Sequence, residues 1–315
     1  MKPVLFASTK PLERAENLKA VYEAYDGEKA HVKVDPWRKH PAITSGEYGV
    51  MVIDEYPTCS PGKAVLIGHG IAGGKRGGLN QPHPYFTKKD AELITFTITS
   101  GTGAVGMVAS SDGIPESKVL PLGMPRTDMY VGKRKGDGHT GITGNRVYLY
   151  APTYRGKEDP PLPKMDWEWL DKHLSDGETL VVKAHPMTGM LLIGNHYRHI
   201  REIGPMEPTA PYLYDCDAVV TDYSSVIFDG YLLGKPAVLF EKNRGYTDTR
   251  GMNMRYPEEY CSRYATNEQE LLDALRGADG LGETEKACIR RVADMCDGHA
   301  CERVCGLVKE LAEGR

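Results

Sequence analysis

Short apolar runs alternate with helix-period stretches along nearly the whole chain, and that alternation constrains the fold more than any other feature. In the first half such runs stand at 4–7, 32–34, 50–53, 64–67, 93–99 and 119–122, with a helical pattern over 12–25 after the first of them. In the second half they stand at 147–151, 180–183, 218–221 and 237–240. Helical patterns there cover 166–174, 268–276, 283–294 and 301–313, and Asp166 is in place to cap the first of these. Strand, helix, strand in repetition predicts parallel sheets with crossover helices. Between the two series the stretch 132–144 (GKRKGDGHTGITG) is rich in Gly and Lys and reads as a linker. The expected division is an N-terminal Rossmann-like domain over 1–135 and a second over 145–285. Closing helices over 286–315 are expected to pack back on the first domain.

A chain of 315 residues suits two domains of this kind. Its net charge of −4 argues against a nucleic-acid partner. Basic residues cluster only locally, at Lys75-Arg76, Lys88-Lys89 and 133–135, either as solvated loops or as contacts to an anionic substrate. No apolar run approaches the roughly 20 residues that span a bilayer. The N-terminus reads as a strand and not as a signal peptide, so the expectation is a cytoplasmic protein, at most peripheral at the inner face of the membrane. Seven Cys are an odd count for a disulfide framework. Cys288, Cys296, Cys301 and Cys305 crowd the end with His299, but not at the paired spacings of a zinc site, so no metal is expected.

Five segments could carry chemistry. In VVTDYSSVIFDG an apolar strand ends at Thr221 and a helix begins near Ser224. That places Asp222, Ser224 and Ser225 at the carboxyl edge of a sheet, where a helix start with small hydroxyl residues can hold an anion. An N-cap without a ligand explains the same residues. In VVKAHP a strand delivers Lys183 and His185 to that edge, and Pro186 ends the pairing. In LIGHGIAGGKRGG, His69 stands between glycines just after a strand of the first half, as a general-base candidate, with Lys75 and Arg76 placed to attract an anionic acceptor. YAPTYR puts Arg155 after the first strand of the second half, where its planar fork could clamp a phosphate. GMPRTD ends the first series, with Arg126 and Asp128 expected to pair or to shape the cleft. A sixth segment, 101–106, matches G-x-G-x-x-G, but follows about the fifth strand instead of the first. A dinucleotide cofactor is therefore not expected.

Taken in order, HG at His69, GMPRTD, APTYR, HP at His185 and TDYSSVIFD resemble the motifs of the CDP-glycerol:polyglycerophosphate glycerophosphotransferases of teichoic-acid and capsule synthesis. RGMNMRYP near Arg250 and DGHACERV at 297–304 extend the resemblance to almost the whole chain. It implies a GT-B architecture, α/β, with two Rossmann-like domains facing across a cleft. It further implies transfer of glycerol phosphate, or a related polyol phosphate, from a CDP-linked donor to a hydroxyl. By likeness His69 is the base, His185 and the serines of TDYSS meet the donor phosphates, and Arg155 and Arg250 assist. No cofactor is implied. The partners implied are CDP-glycerol or a similar CDP-polyol, and a polyol-phosphate or glycan acceptor, free or lipid-linked. The chain departs from the family where WHG followed by Thr-Pro becomes GHG followed by Ile71-Ala72-Gly73, and where Tyr154 replaces Trp. The short N-terminal region leaves little room for a membrane-binding extension. A GT-B glycosyltransferase using a nucleotide sugar and a non-catalytic nucleotide-binding protein are the competing readings.

Overall fold

The computed structural model describes residues 2–34, 41–54, 62–68, 70–71, 88–155, 162, 164–191, 193–194, 196–242 and 251–314. It divides into two compact units, Met1–Val131 with Arg290–Arg315, and Gly132–Ile289.

Unit 1 is built on six parallel strands: β1 (Val4–Ser8), β2 (Lys29–Lys33), β3 (Val50–Ile53), β4 (Lys63–Leu66), β5 (Phe96–Thr99) and β6 (Val119–Pro121). Their order across the sheet is β2-β1-β3-β4-β5-β6. The central strands β1 and β3 are buried at every residue, which is why they read as unbroken apolar runs and not as alternating ones. Successive side chains point to opposite faces. Val4, Phe6, Val50, Val52 and Val65 therefore enter one core layer with Leu18, Val21, Val304, Val308 and Leu311. Leu5, Ala7, Met51, Ile53, Ala64 and Leu66 enter the other layer with Ala109 and Ile114. Residues Val304, Val308 and Leu311 lie on one stripe of the helix Ala300–Ala312, so the end of the chain supplies a core layer of unit 1.

Unit 2 repeats the plan with β7 (Arg146–Tyr150), β8 (Glu178–Val182), β9 (Ile200–Glu202), β10 (Ala218–Thr221), β11 (Ala237–Phe240) and β12 (Tyr264–Ala265). The order is β12-β11-β10-β7-β8-β9. Relative to β7 as first strand this is the 3-2-1-4-5-6 order of dinucleotide-type folds, with its reversal point between β7 and β10. Asp166 caps the helix Trp167–His173, as expected, by accepting from the Trp169 N–H at 2.9 Å. Two strands were not expected: β9 and β12 are three and two residues long and carry no apolar run. The strand expected over 93–99 starts only at Phe96, because Leu93 ends the helix Lys88–Leu93.

The Gly-rich stretch 132–144 is ordered by one carboxylate. Asp215 accepts from the N–H groups of Gly136, Gly138 and Thr140 at 2.9–3.1 Å and from the Thr140 hydroxyl at 2.6 Å. Gly138 is required there, since a Cβ would sit 2.0 Å from the Pro211 carbonyl oxygen. Its glycines thus bring backbone donors close to an acid.

Glu178, at the start of β8, gives unit 2 a measurable acid sensitivity. Burial pushes its carboxyl pKa up, but hydrogen bonds from Arg276, the Ser175 N–H and the Tyr148 hydroxyl, with the Arg276 charge, outweigh it and hold the value at about 2. A depressed folded-state value means stability that is complete above the unfolded value of 4.5 and is lost as pH falls toward 2. The side chain is only 10% exposed, so the contribution at neutral pH is on the order of 3 kcal/mol. Denaturant titrations of wild type and Glu178→Gln should therefore differ clearly at pH 6 and converge as pH approaches 2.

Candidate functional site

The reversal point of the unit 2 sheet gathers three of the expected segments. Thr221, last residue of β10, donates its hydroxyl to the Ala151 carbonyl at 2.6 Å, tying the ends of β10 and β7 together. Asp222 follows and is 3% exposed. It accepts from the N–H groups of Thr153 at 2.9 Å and Tyr223 at 2.7 Å, and from Arg155 Nη2 at 2.6 Å. The Arg155 side chain is 8% exposed, its Nη1 reaches the Thr153 carbonyl at 3.1 Å, and its guanidinium lies 5.3 Å from the Tyr223 ring centre. Asp222 and Arg155 were both expected at the donor. They form one buried ion pair that locks the APTYR loop onto the TDYSS turn.

On the other side of β7, β8 delivers Lys183 and His185. Lys183 is buried, and its Nζ donates to the Pro205 carbonyl at 3.2 Å, which fixes the loop after β9. His185 is exposed. Its Nδ1 accepts from the Met187 N–H at 3.1 Å, so a neutral ring carries its proton on Nε2. The Tyr154 ring lies 5.5 Å from the imidazole, which brings APTYR beside HP. Ser224 and Ser225 are half-buried at the start of the helix Val226–Leu232. Ser224 Oγ accepts from the Val226 N–H at 3.4 Å, whereas the Ser225 side chain makes no cap bond. Exposed imidazole, two hydroxyls and a helix start at one sheet edge form an arrangement suited to an anionic group.

Two features of this edge went unread in the sequence. Glu241, immediately after β11, is 1% exposed and accepts from the Tyr264 hydroxyl at 3.3 Å. An acid directly behind an apolar strand was the available signal. The Tyr256 ring lies tilted 5.3 Å from that of Tyr223, which sets the segment after 251 beside TDYSS. Burial, with Glu241 and Asp222 nearby, pushes its phenol pKa up. Arg250 lies outside the described residues, as do His69, Lys75 and Arg76.

In unit 1 the structure describes the surroundings of the HG segment up to Gly68, which takes φ +74°. Asn17, 3% exposed on the helix Glu16–Ala24, donates from Nδ2 to the Gly68 carbonyl at 3.2 Å and accepts from the Arg126 N–H at 2.9 Å. One side chain thus joins the HG and GMPRTD segments. Asn17→Ala removes both bonds and buries their partners unsatisfied, so a loss of about 2 kcal/mol is expected by thermal or chemical unfolding.

Arg126 and Asp128, expected to pair and shape the cleft, each meet other partners. Arg126 Nη1 donates to the Tyr130 hydroxyl at 2.8 Å and lies 3.8 Å from Glu16. Asp128 accepts from the N–H groups of Ala300 at 3.0 Å and Cys301 at 2.7 Å, and so caps the last helix. Cys301 and Cys305 are packing residues on that helix, and burial pushes both thiols up, Cys301 to about 12. The G-x-G-x-x-G segment serves packing: a Cβ at Gly103 would meet the Arg291 carbonyl oxygen at 2.3 Å, and Thr102 gives its N–H and hydroxyl to Asp294.

Two doubly wound parallel units, each a six-stranded sheet with helices, define a GT-B fold. A wall teichoic acid polymerase, TagF, superposes with a TM-score of 0.78 at 19% identity over 99% of this chain and 89% of that one. The chain belongs to the CDP-Glycerol:Poly(glycerophosphate) glycerophosphotransferase family, whose sequence model matches residues 67–310. It is 25% identical to the teichoic acid ribitol-phosphate polymerase TarL of Staphylococcus aureus over 247 residues, which is 73% of this chain and 43% of that protein. It is also 25% identical to a teichoic acid glycerol-phosphate transferase of the same organism over 240 residues, 69% of this chain and 61% of that protein. The chain spans about half the length of the curated relatives it matches.

Proposed function

We propose that this protein transfers glycerol phosphate, or a related polyol phosphate, from a CDP-activated donor to a hydroxyl acceptor in the synthesis of a cell-wall or capsule-type polymer. The observation that carries this reading is the meeting of APTYR, HP and TDYSS at one sheet edge, where Tyr154 lies against His185 and Arg155 pairs with Asp222. Curated relatives named as a glycerol-phosphate transferase and a ribitol-phosphate polymerase support the polyol phosphate.

The reaction is displacement at the β-phosphorus of the donor. The acceptor oxygen forms the new P–O bond, the bond to the CMP oxygen breaks, and CMP leaves with that electron pair. His69 takes the acceptor proton. CMP departs as an anion, so its developing charge needs hydrogen-bond donors more than a proton. His185 Nε2–H, the hydroxyls of Ser224 and Ser225 and the N–H groups at the helix start supply them. Lys183, Arg155 and Asp222 hold the loops that carry these groups, Arg250 assists at the donor, and Lys75 and Arg76 draw the anionic acceptor to unit 1. Among the described residues no helix is long and apolar enough to cross a membrane; a lipid-linked acceptor would bring the protein to the inner face of the membrane.

Thermal shift across a nucleotide panel tests the donor. CDP-glycerol and CDP-ribitol should stabilise the protein at concentrations where UDP- and GDP-sugars do not. Stabilisation by UDP-sugars alone would replace this reading with nucleotide-sugar glycosyl transfer.

A further inference from the structure

Unit 1 has its own reversal point, because β2 and β3 flank β1 on opposite sides. Doubly wound sheets take ligands at the carboxyl ends of the strands that meet there. A polar cavity of about 60 Å³ opens at that place, lined by Lys10, Arg14, Glu16, Asn17, Asp54 and Gly68. It has room for roughly four water-sized groups and opens to solvent.

The lining is built and not incidental. Asp54, just past β3, is 3% exposed and faces Lys10 Nζ at 3.7 Å. The Lys10 backbone is pinned in turn: the buried Ser8 hydroxyl donates to its carbonyl at 2.6 Å and accepts from His31 Nε2 at 2.8 Å. The Gly68 wall is held by Asn17. Each carboxylate already has a cation beside it, Asp54 with Lys10 and Glu16 with Arg126. Arg14, exposed on the turn Leu12–Arg14, adds a guanidinium to the lining. The lining itself is balanced in charge, Lys10 and Arg14 against Glu16 and Asp54, so it suits a ligand that carries both an anionic group and hydrogen-bond donors. A bare phosphate would be repelled by the buried Asp54 carboxylate, which can only accept hydrogen bonds. A ligand with a phosphate and neighbouring hydroxyls satisfies both sides.

We propose that this cavity is a binding subsite for a phosphorylated polyol, with Arg14 and Lys10 on the phosphate and Asp54 on the hydroxyls. The assignment rests on the reading that unit 1 receives the acceptor, and it names the acceptor chemistry. Arg14 and Asp54 then decide which acceptor is taken.

Calorimetric titration of the full chain with sn-glycerol 3-phosphate, inorganic phosphate and glycerol tests it. Wild type should bind sn-glycerol 3-phosphate more tightly than either fragment. Arg14→Ala, at an exposed position, should weaken that binding about tenfold and leave CDP-glycerol affinity unchanged. Asp54→Asn should erase the preference for sn-glycerol 3-phosphate over phosphate, and far-UV circular dichroism with the thermal midpoint reports whether this variant is folded. If it is not, Arg14→Ala alone decides. Equal binding of sn-glycerol 3-phosphate by wild type and Arg14→Ala overturns the proposal, as does its failure to bind wild type. Binding of sn-glycerol 3-phosphate without any binding of CDP-glycerol would sink the donor reading and leave the subsite standing.

Discussion

Asp222→Ala is expected to destabilise unit 2 by about 3–5 kcal/mol, a size characteristic of breaking a buried ion pair from one side. The carboxylate serves three donors, the Thr153 and Tyr223 N–H groups and Arg155 Nη2. Removing it leaves a guanidinium whose side chain is 8% exposed beside a cavity, with two buried N–H groups also stripped of their acceptor. Arg155→Ala should cost less, because Asp222 keeps its two backbone donors. Trp167 and Trp169 both lie in unit 2, so fluorescence-detected urea unfolding reads the effect. An unchanged midpoint for Asp222→Ala would mean that the pair does not hold the APTYR loop to the TDYSS turn.

The second large effect is chemical. His185→Ala should lower turnover of a CDP-polyol by about 100- to 1,000-fold, the usual cost of removing one donor from a developing anion. The side chain is exposed and contributes to no core layer, so the unfolding midpoint should stay near that of wild type. His185→Gln keeps a donor and should recover part of the loss. If kcat is unchanged and only KM rises, His185 binds the ground state and does not stabilise departing CMP.

The strands that were legible in the sequence are those buried on both faces. The runs at 50–53, 218–221 and 237–240 match β3, β10 and β11 residue for residue. Strands β9 and β12 were invisible because an Ile-Arg-Glu or Tyr-Ala pair has no period to read, and only their partners β8 and β11 make them strands. The stretch 132–144 carries a long-range contact that its composition does not show. The N–H groups of Gly136 and Gly138 go to Asp215, an acid some 80 residues away that no local rule connects to them. The same holds for Asn17, whose two bonds reach Gly68 and Arg126 across the sequence.

At the candidate site, His185, Ser224 and Ser225 could be placed from strand ends alone, since a carboxyl edge is a local consequence of a parallel strand. The role of Asp222 could not. As a residue type it suggested a ligand contact, and only the fold shows it spent on Arg155. Which acids pair inward and which face a ligand is a tertiary matter, decided by burial and by the neighbours each loop finds.

The most direct test of the central claim is CMP release from CDP-glycerol by the purified full chain, supplied with a glycerol phosphate oligomer as acceptor. The account predicts acceptor-dependent CMP release with one glycerol phosphate added to the acceptor per CMP formed, and loss of that release in His69→Ala. Tight CDP-glycerol binding with no CMP release under any polyol-phosphate acceptor, or release at the wild-type rate by His69→Ala, would contradict it.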